Sequence, residues 1–93
     1  MAKVNVTFTV TVSANVAGYW IAVGDQDVPL VNGKGTIALD SGTSYLLVWH
    51  FEGEEGDTLG IVGAAGNKKL VEVKASTIPK GEHSGAGSKR FTT

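Results

Sequence analysis

Polar and apolar residues alternate strictly through the first part of the chain, from residue 3 to residue 13. The apolar positions are Val4, Val6, Phe8, Val10 and Val12, and every position between them is polar. A period of two with many β-branched residues is typical of a strand that buries one face. The segment therefore predicts a first β-strand whose threonines face solvent.

Turn-forming residues divide the next part of the chain into short strands. Residues 19–23 predict a second strand, which ends at a glycine and aspartate turn. Asn32 and Gly33 favour the tight hairpin turn that needs positive φ at both central positions, so residues 28–31 are predicted to pair with residues 35–40. Because the proline within 28–31 cannot donate a hydrogen bond to a ladder, that segment is predicted to lie at a sheet edge or to form a short irregular strand.

The most apolar run of the chain is residues 45–49, inside a segment that extends from residue 44 to residue 52. An uninterrupted apolar run predicts a strand covered on both faces, so we expect this segment to be the central strand. Shorter segments predict further strands at residues 58–62 and 68–75. No segment of helical length has the 3.6-residue period of a buried helix face.

The last part of the chain differs in composition from the rest. Between Lys80 and Arg90 there is no large apolar residue, and glycine and serine are frequent. Such a segment is typical of a mobile terminus, so we predict a flexible polar tail at residues 80–93 after a folded domain at residues 1–79. The short strands and regular turn signals predict that this domain is a small antiparallel all-β sandwich of about seven strands.

The composition agrees with one folded domain and limits its partners. Of 93 residues, 42% are hydrophobic and 18% are charged, which is too little charge for a disordered chain. A net charge of -1 argues against nucleic-acid binding, which needs a basic surface. The absence of cysteine excludes disulfides, cysteine-ligated zinc and iron–sulfur clusters.

The first residues lead directly into the alternating segment, without an apolar stretch as long as a signal peptide or a membrane span. We therefore expect no membrane association and a cytoplasmic location. A mature secreted fragment that carries a new Met1 would have the same pattern, so that location stays open as an alternative.

Glycine and aromatic residues are regularly spaced in residues 33–53. The positions that carry the pattern are Gly33, Gly35, Ile37, Leu39, Gly42, Tyr45, Leu47, Trp49 and Gly53. This pattern resembles the second half of transthyretin-like (prealbumin-like) and carboxypeptidase regulatory-like sandwich modules, and the short strands also suit an immunoglobulin-like sandwich. The resemblance implies an accessory or binding module without catalytic residues. Those modules carry a glycine-x-x-proline region after the first strand, for which only Pro29 is a match, so the resemblance supports the fold alone.

The two tryptophans are predicted to have different roles. Trp49 shares its side of the central strand with other large apolar residues and is predicted to pack in the core. Ile21 and Val23 set the inward side of the second strand, which leaves Trp20 pointing outward. Exposed flat rings stack on the apolar faces of sugars, so Trp20 and the loop after its strand are the candidate ligand site. The loop residues of that site are Asp25, Gln26 and Asp27.

Other candidate sites lack part of their chemistry. His50 and Glu52 are two residues apart on one strand and point the same way, as a metal or acid/base pair requires, but no third ligand is predicted near them. The acidic turn at residues 52–57 matches no calcium-loop spacing, and no serine has the surroundings of a nucleophile. We therefore predict a protein that is not an enzyme and has no cofactor or metal.

The leading hypothesis is a non-catalytic ligand-recognition module, with carbohydrate as the favoured ligand class. The alternative is a structural or assembly protein that pairs with another chain through an edge strand such as residues 28–31. An enzymatic role would need His50 and Glu52 to line a pocket together with a third polar group.

Overall fold

The computed structural model describes residues 2–93, and these residues form eight strands in two antiparallel four-stranded sheets. The strands are β1 (Lys3–Val12), β2 (Gly18–Val23), β3 (Gln26–Asp27), β4 (Lys34–Asp40), β5 (Ser44–Glu52), β6 (Thr58–Ala65), β7 (Lys68–Thr77) and β8 (Ser84–Thr92). The first sheet has the order β4-β1-β6-β7, and the second sheet has the order β3-β2-β5-β8. The all-β, two-sheet prediction is confirmed, with eight strands in place of about seven.

The two sheets enclose one apolar core, which is built from the inward-facing side chains of their strands. Its largest fully buried side chains include Phe8 from the first sheet and Phe51 from the second. Phe8 also meets Phe91 of β8 edge to face across the two sheets, with ring centroids 6.1 Å apart. The alternation in β1 is confirmed, because Val6, Phe8 and Val10 are buried while the threonines between them are at least partly exposed.

The central position of β5 is confirmed, since it pairs with β2 on one side and with β8 on the other. Its coverage on both faces was a wrong prediction. Leu47 and Phe51 are completely buried, but Leu46 and Val48 on the opposite face are only half-buried. The described residues form two layers and no third, so the outer face of β5 has nothing packed over it.

The predicted flexible tail at residues 80–93 is wrong, because residues 84–92 form β8 and pair with the whole length of β5. The segment needs small residues because large side chains of β5 pack against it. A Cβ on Gly85 would lie 2.6 Å from the ring of Phe51, and a Cβ on Gly87 would lie 2.4 Å from the ring of Trp49. The large side chains of β5 occupy the core volume that β8 leaves free.

The predicted pairing of residues 28–31 with β4 is also wrong, although the turn itself is confirmed by positive φ values of 53° at Asn32 and 77° at Gly33. Only Val31 bridges to Lys34. The rest of β4 pairs with β1, because the chain crosses from the second sheet to the first between β3 and β4. Gly35 permits this crossing, since a Cβ there would overlap the carbonyl oxygen of Pro29.

Candidate functional site

Trp20 lies on the outer face of the second sheet, as its strand pattern predicted. Its side chain is 50% exposed, whereas its neighbours Ile21 and Val23 are buried. The β2–β5 register places Trp20 opposite His50. The two rings, together called the aromatic surface, stack with centroids 5.9 Å apart and planes 19° from parallel. Offset stacking of this kind is a favourable ring geometry and restrains the indole orientation.

A shallow depression of about 260 Å³ lies beside this aromatic surface. It is lined by Gly18, Tyr19, Trp20, His50 and Glu52. Gly18 lies opposite Glu52 in the sheet and carries no side chain, so it leaves one side of the depression open. The exposed carboxylate of Glu52 is the charged group of the depression, and it offers hydrogen-bond acceptors next to an apolar ring.

A second depression of about 490 Å³ adjoins the first at the end of the sandwich. It is lined by Asn15, Ala17, Glu52, Gly53, Glu54, His83 and Ser84. Glu52 belongs to both depressions, so the two are neighbouring parts of one surface. His83 Nδ1 lies 3.5 Å from Glu54 Oε2, and both side chains are well exposed. The second depression is therefore polar and wet, in contrast to the aromatic surface beside it.

The acidic turn beside these depressions is held in shape by the buried carboxylate of Asp57. Its Oδ1 accepts a hydrogen bond from Ser13 Oγ at 2.9 Å, and its Oδ2 accepts one from the Glu54 backbone N–H at 2.7 Å. Ser13 Oγ in turn accepts a bond from the Thr58 backbone N–H at 2.9 Å. Among residues 2–93, no buried side-chain nitrogen or oxygen lacks a partner. Asp57 thus has a structural role in the turn.

The acidic turn at residues 52–57 and the turn that contains Asp25 lie at opposite ends of the second sheet, so their carboxylates cannot join in one calcium site. Residues 52–57 adjoin the start of β2, where Gly18 pairs with Glu52. The turn that contains Asp25 follows the end of β2, where the Gly24 N–H bonds to the carbonyl of Leu46. No group of three or more His, Asp or Glu side chains within the described residues is placed to hold a metal ion.

The predicted loop residues take separate positions. Asp27 pairs with Ala22 and so shares the outer face with Trp20, one diagonal step away. Gln26 pairs with Val23, which places it on the inward side of the sheet edge, and Asp25 lies in the exposed turn. Only Asp27 therefore joins the face of Trp20.

Trp20 shares its depression with two residues that the sequence indicated only for other chemistry. His50 and Glu52 were considered as a metal or acid/base pair, and the structure places them beside the indole ring on the predicted common face. Their parity on β5 was readable from the sequence. Their pairing with β2 was not, because the register between two strands depends on the whole fold.

Comparison of the chain with protein-family models, curated protein sequences and solved structures finds no match. The described residues include no helix that is long and apolar enough to cross a membrane.

Proposed function

We propose that the protein is a non-catalytic ligand-recognition module whose favoured ligand is a carbohydrate held against Trp20. The observation that carries the proposal is the half-exposed indole ring, oriented by its stacking on His50. A large aromatic ring that remains exposed in a small domain keeps apolar surface available for a partner. The Trp20 ring is carried by a strand and not by a loop, which favours a fixed ring position.

The surroundings of the ring suit a ligand that is apolar on one face and rich in hydroxyl groups at its edge. The face of a sugar ring would pack on the indole, and its hydroxyl groups would donate to the Glu52 carboxylate in the same depression. Sites that combine an apolar wall with a few polar groups use the polar groups to fix orientation. The adjoining polar depression gives room for a second sugar unit.

The test is to screen a glycan panel and measure the affinity of any hit by calorimetry. We expect Trp20→Ala to weaken binding by at least about tenfold, which is about 1.4 kcal/mol, and Trp20→Phe to keep part of the affinity because a flat ring remains. Val62→Ala is the matched control, since Val62 is an exposed apolar residue on the other sheet. Unchanged affinity in Trp20→Ala would place the ligand elsewhere.

We also propose, as part of this function, that the domain is similar to transthyretin-like and carboxypeptidase regulatory-like modules or to an immunoglobulin-like sandwich. The similarity rests on the glycine and aromatic spacing between Gly33 and Gly53 alone. It agrees with an accessory or binding role and brings no site residue with it.

Assembly through an edge strand is the second candidate function. Residues 28–31 are not a strand beyond the single bridge at Val31. The observation that favours assembly is a different edge, that of β8, which pairs with β5 on one side only.

A further inference from the structure

The backbone of β8 has an open hydrogen-bonding edge along its whole length. The bonds from Gly53 N to His83 O, at 2.9 Å, and from Thr93 N to Thr43 O, at 3.0 Å, continue the β5–β8 register at both ends. Because hydrogen-bonded pairs alternate in an antiparallel ladder, the odd-numbered residues of β8 bond to β5. The residues whose N–H and C=O groups face away are Ser84, Ala86, Ser88, Arg90 and Thr92, and all five are exposed.

The edge of β4 is much shorter, because both of its ends are closed by hydrogen bonds. The Lys34 backbone bonds in both directions with Val31, at 2.9 and 3.1 Å. At the other end, the Asp40 N–H donates to Tyr45 Oη at 2.9 Å, and the Asp40 carbonyl accepts from Thr93 Oγ1 at 2.5 Å. A strand that approached β4 would find only its middle free.

The remaining two edges are interrupted or short. The pairing of β7 with β6 has two register shifts, which bend a strand edge away from a flat partner. The Glu72 carbonyl of β7 also accepts a hydrogen bond from Lys89 Nζ of β8 at 2.8 Å. β3 has only two residues. β8 is therefore the longest regular open edge of the described chain, and its lysine is directed at β7 and not at a new strand.

The sequence of β8 is complementary to itself in the antiparallel direction. Before Ser88 the strand has only serine, glycine and alanine, and after Ser88 it has lysine, arginine, phenylalanine and threonine. We propose that β8 pairs with β8 of a second copy of this chain, about a two-fold axis at Ser88. The inference rests on the second candidate function and is independent of ligand binding at Trp20.

In this register each large residue lies opposite a small one. Arg90 faces Ala86 of the second copy, and Lys89 faces Gly87, so no two like charges are directly opposed. The free backbone N–H and C=O groups of the two copies also match. Ser88 lies opposite Ser88, and each of the other residues with free backbone groups lies opposite another such residue of the second copy. The two second sheets then form one continuous sheet, in which Arg90 of one copy lies opposite Ala86 of the other, and Ala86 in turn pairs with His50, two residues from Glu52 on β5. An extended peptide of arbitrary sequence would lack this match of size and charge.

The test uses single cysteines, because the chain contains none. Residues directly opposite in a hydrogen-bonded antiparallel pair have Cα atoms about 5.5 Å apart, a distance that a disulfide can bridge. We expect Ser88→Cys to form a covalent dimer on mild oxidation of the native protein. Ser84→Cys and Thr92→Cys are the matched controls on the same face: neither cross-links alone, but an equimolar mixture of the two does.

A second measurement is the sedimentation mass of the wild type and of Ser88→Pro over a wide range of concentration. The Ser88 N–H faces the open edge, so proline there removes no bond to β5 while it blocks an added strand. We expect the wild-type mass to double as concentration rises and Ser88→Pro to remain monomeric with an unchanged far-UV circular dichroism spectrum.

Three outcomes would overturn the inference. A wild type that stays monomeric at about 1 mM excludes the β8 dimer, while it leaves the ligand-recognition proposal at Trp20 untouched. A dimer that persists in Ser88→Pro uses another surface. If Ser88→Pro abolishes the dimer but Ser88→Cys cross-links no better than Ser84→Cys, the β8 edge is used in another register, and pairing about Ser88 is wrong while assembly through the edge remains.

Discussion

The outer faces of the two sheets are opposite in character, although both inner faces are filled with apolar side chains. On the first sheet, threonines and charged residues share the outer face with the exposed Val62, and Thr7 and Thr36 share a hydrogen bond at 2.8 Å across β1 and β4. On the second sheet, Trp20 is exposed and Leu46 and Val48 are half-exposed. The first sheet thus has a face that water solvates well, and the second has a face that favours contact with another molecule.

This difference shows that an uninterrupted apolar run predicts burial on both faces of a strand in a three-layer protein but not in a two-layer one. In β1, strict alternation leaves polar residues on the outside. In β5, the absence of alternation leaves apolar residues outside, where no third layer covers them. Both proposed interaction sites, the Trp20 surface and the β8 edge, belong to the second sheet.

The largest effect is expected from the two tryptophans on opposite faces of that sheet. Trp49 is 6% exposed and its Nε1 donates to Ser76 Oγ at 3.0 Å, so Trp49→Ala should lower the free energy of unfolding by about 3–5 kcal/mol. Trp20→Ala should cost less than about 1 kcal/mol, because half of its ring is already in water. Equilibrium urea denaturation measures both. Similar losses in the two variants would mean that the outer face is covered in the folded protein.

A smaller effect on the free energy of unfolding is expected when each outer face receives a residue type that is typical of the other. Val48→Thr gives the second sheet a side chain typical of the first, and Thr9→Val does the reverse. Each should change the free energy of unfolding by less than about 1 kcal/mol, since side chains on an outer face contact mainly their cross-strand neighbours. The measurement is the urea midpoint at several protein concentrations. A large, concentration-dependent loss in Val48→Thr alone would indicate that a second copy buries this face.

The smallest effect concerns the two lysine–carboxylate ion pairs, both of which lie on the first sheet. Lys69 donates a hydrogen bond to Glu72 and attracts its charge, which lowers the pKa of the Glu72 carboxyl below its ordinary value of 4.5. A lowered carboxyl pKa stabilises the folded protein above that ordinary value, and the stabilisation is lost as pH falls through the folded pKa. Glu72→Gln should therefore melt slightly below wild type at neutral pH and equally with it in acid.

The Lys3 and Asp40 pair responds at the other end of the pH range. The hydrogen bond and charge of Asp40 raise the pKa of Lys3 above its ordinary value of 10.5. This contribution is complete below that value and is lost as pH rises through the folded pKa. The melting temperature of Lys3→Gln should therefore lie slightly below that of wild type at neutral pH and approach it in alkali. A difference in melting temperature that grows in alkali would contradict the assignment.

Several local features of the chain were sufficient to predict much of the fold. The period of two in β1, the extent of β5 and the inward side of β2 all follow from the order of polar and apolar residues, because strand side chains alternate between faces. The outward position of Trp20 and the core position of Trp49 follow from the same rule. The turn at Asn32 and Gly33 was also readable, since few residues other than asparagine and glycine accept positive φ.

Only the tertiary structure decided which strands are neighbours and which small residues are structural. Gly85 and Gly87 resemble a flexible tail in sequence, and they form a strand because the rings of Phe51 and Trp49 occupy the space where their side chains would be. The pairing of Trp20 with His50 and the open edge of β8 depend on register and sheet order, which arise from contacts between segments distant in the chain. Alternation along a strand is local chemistry, whereas the choice of a neighbour is a property of the whole core.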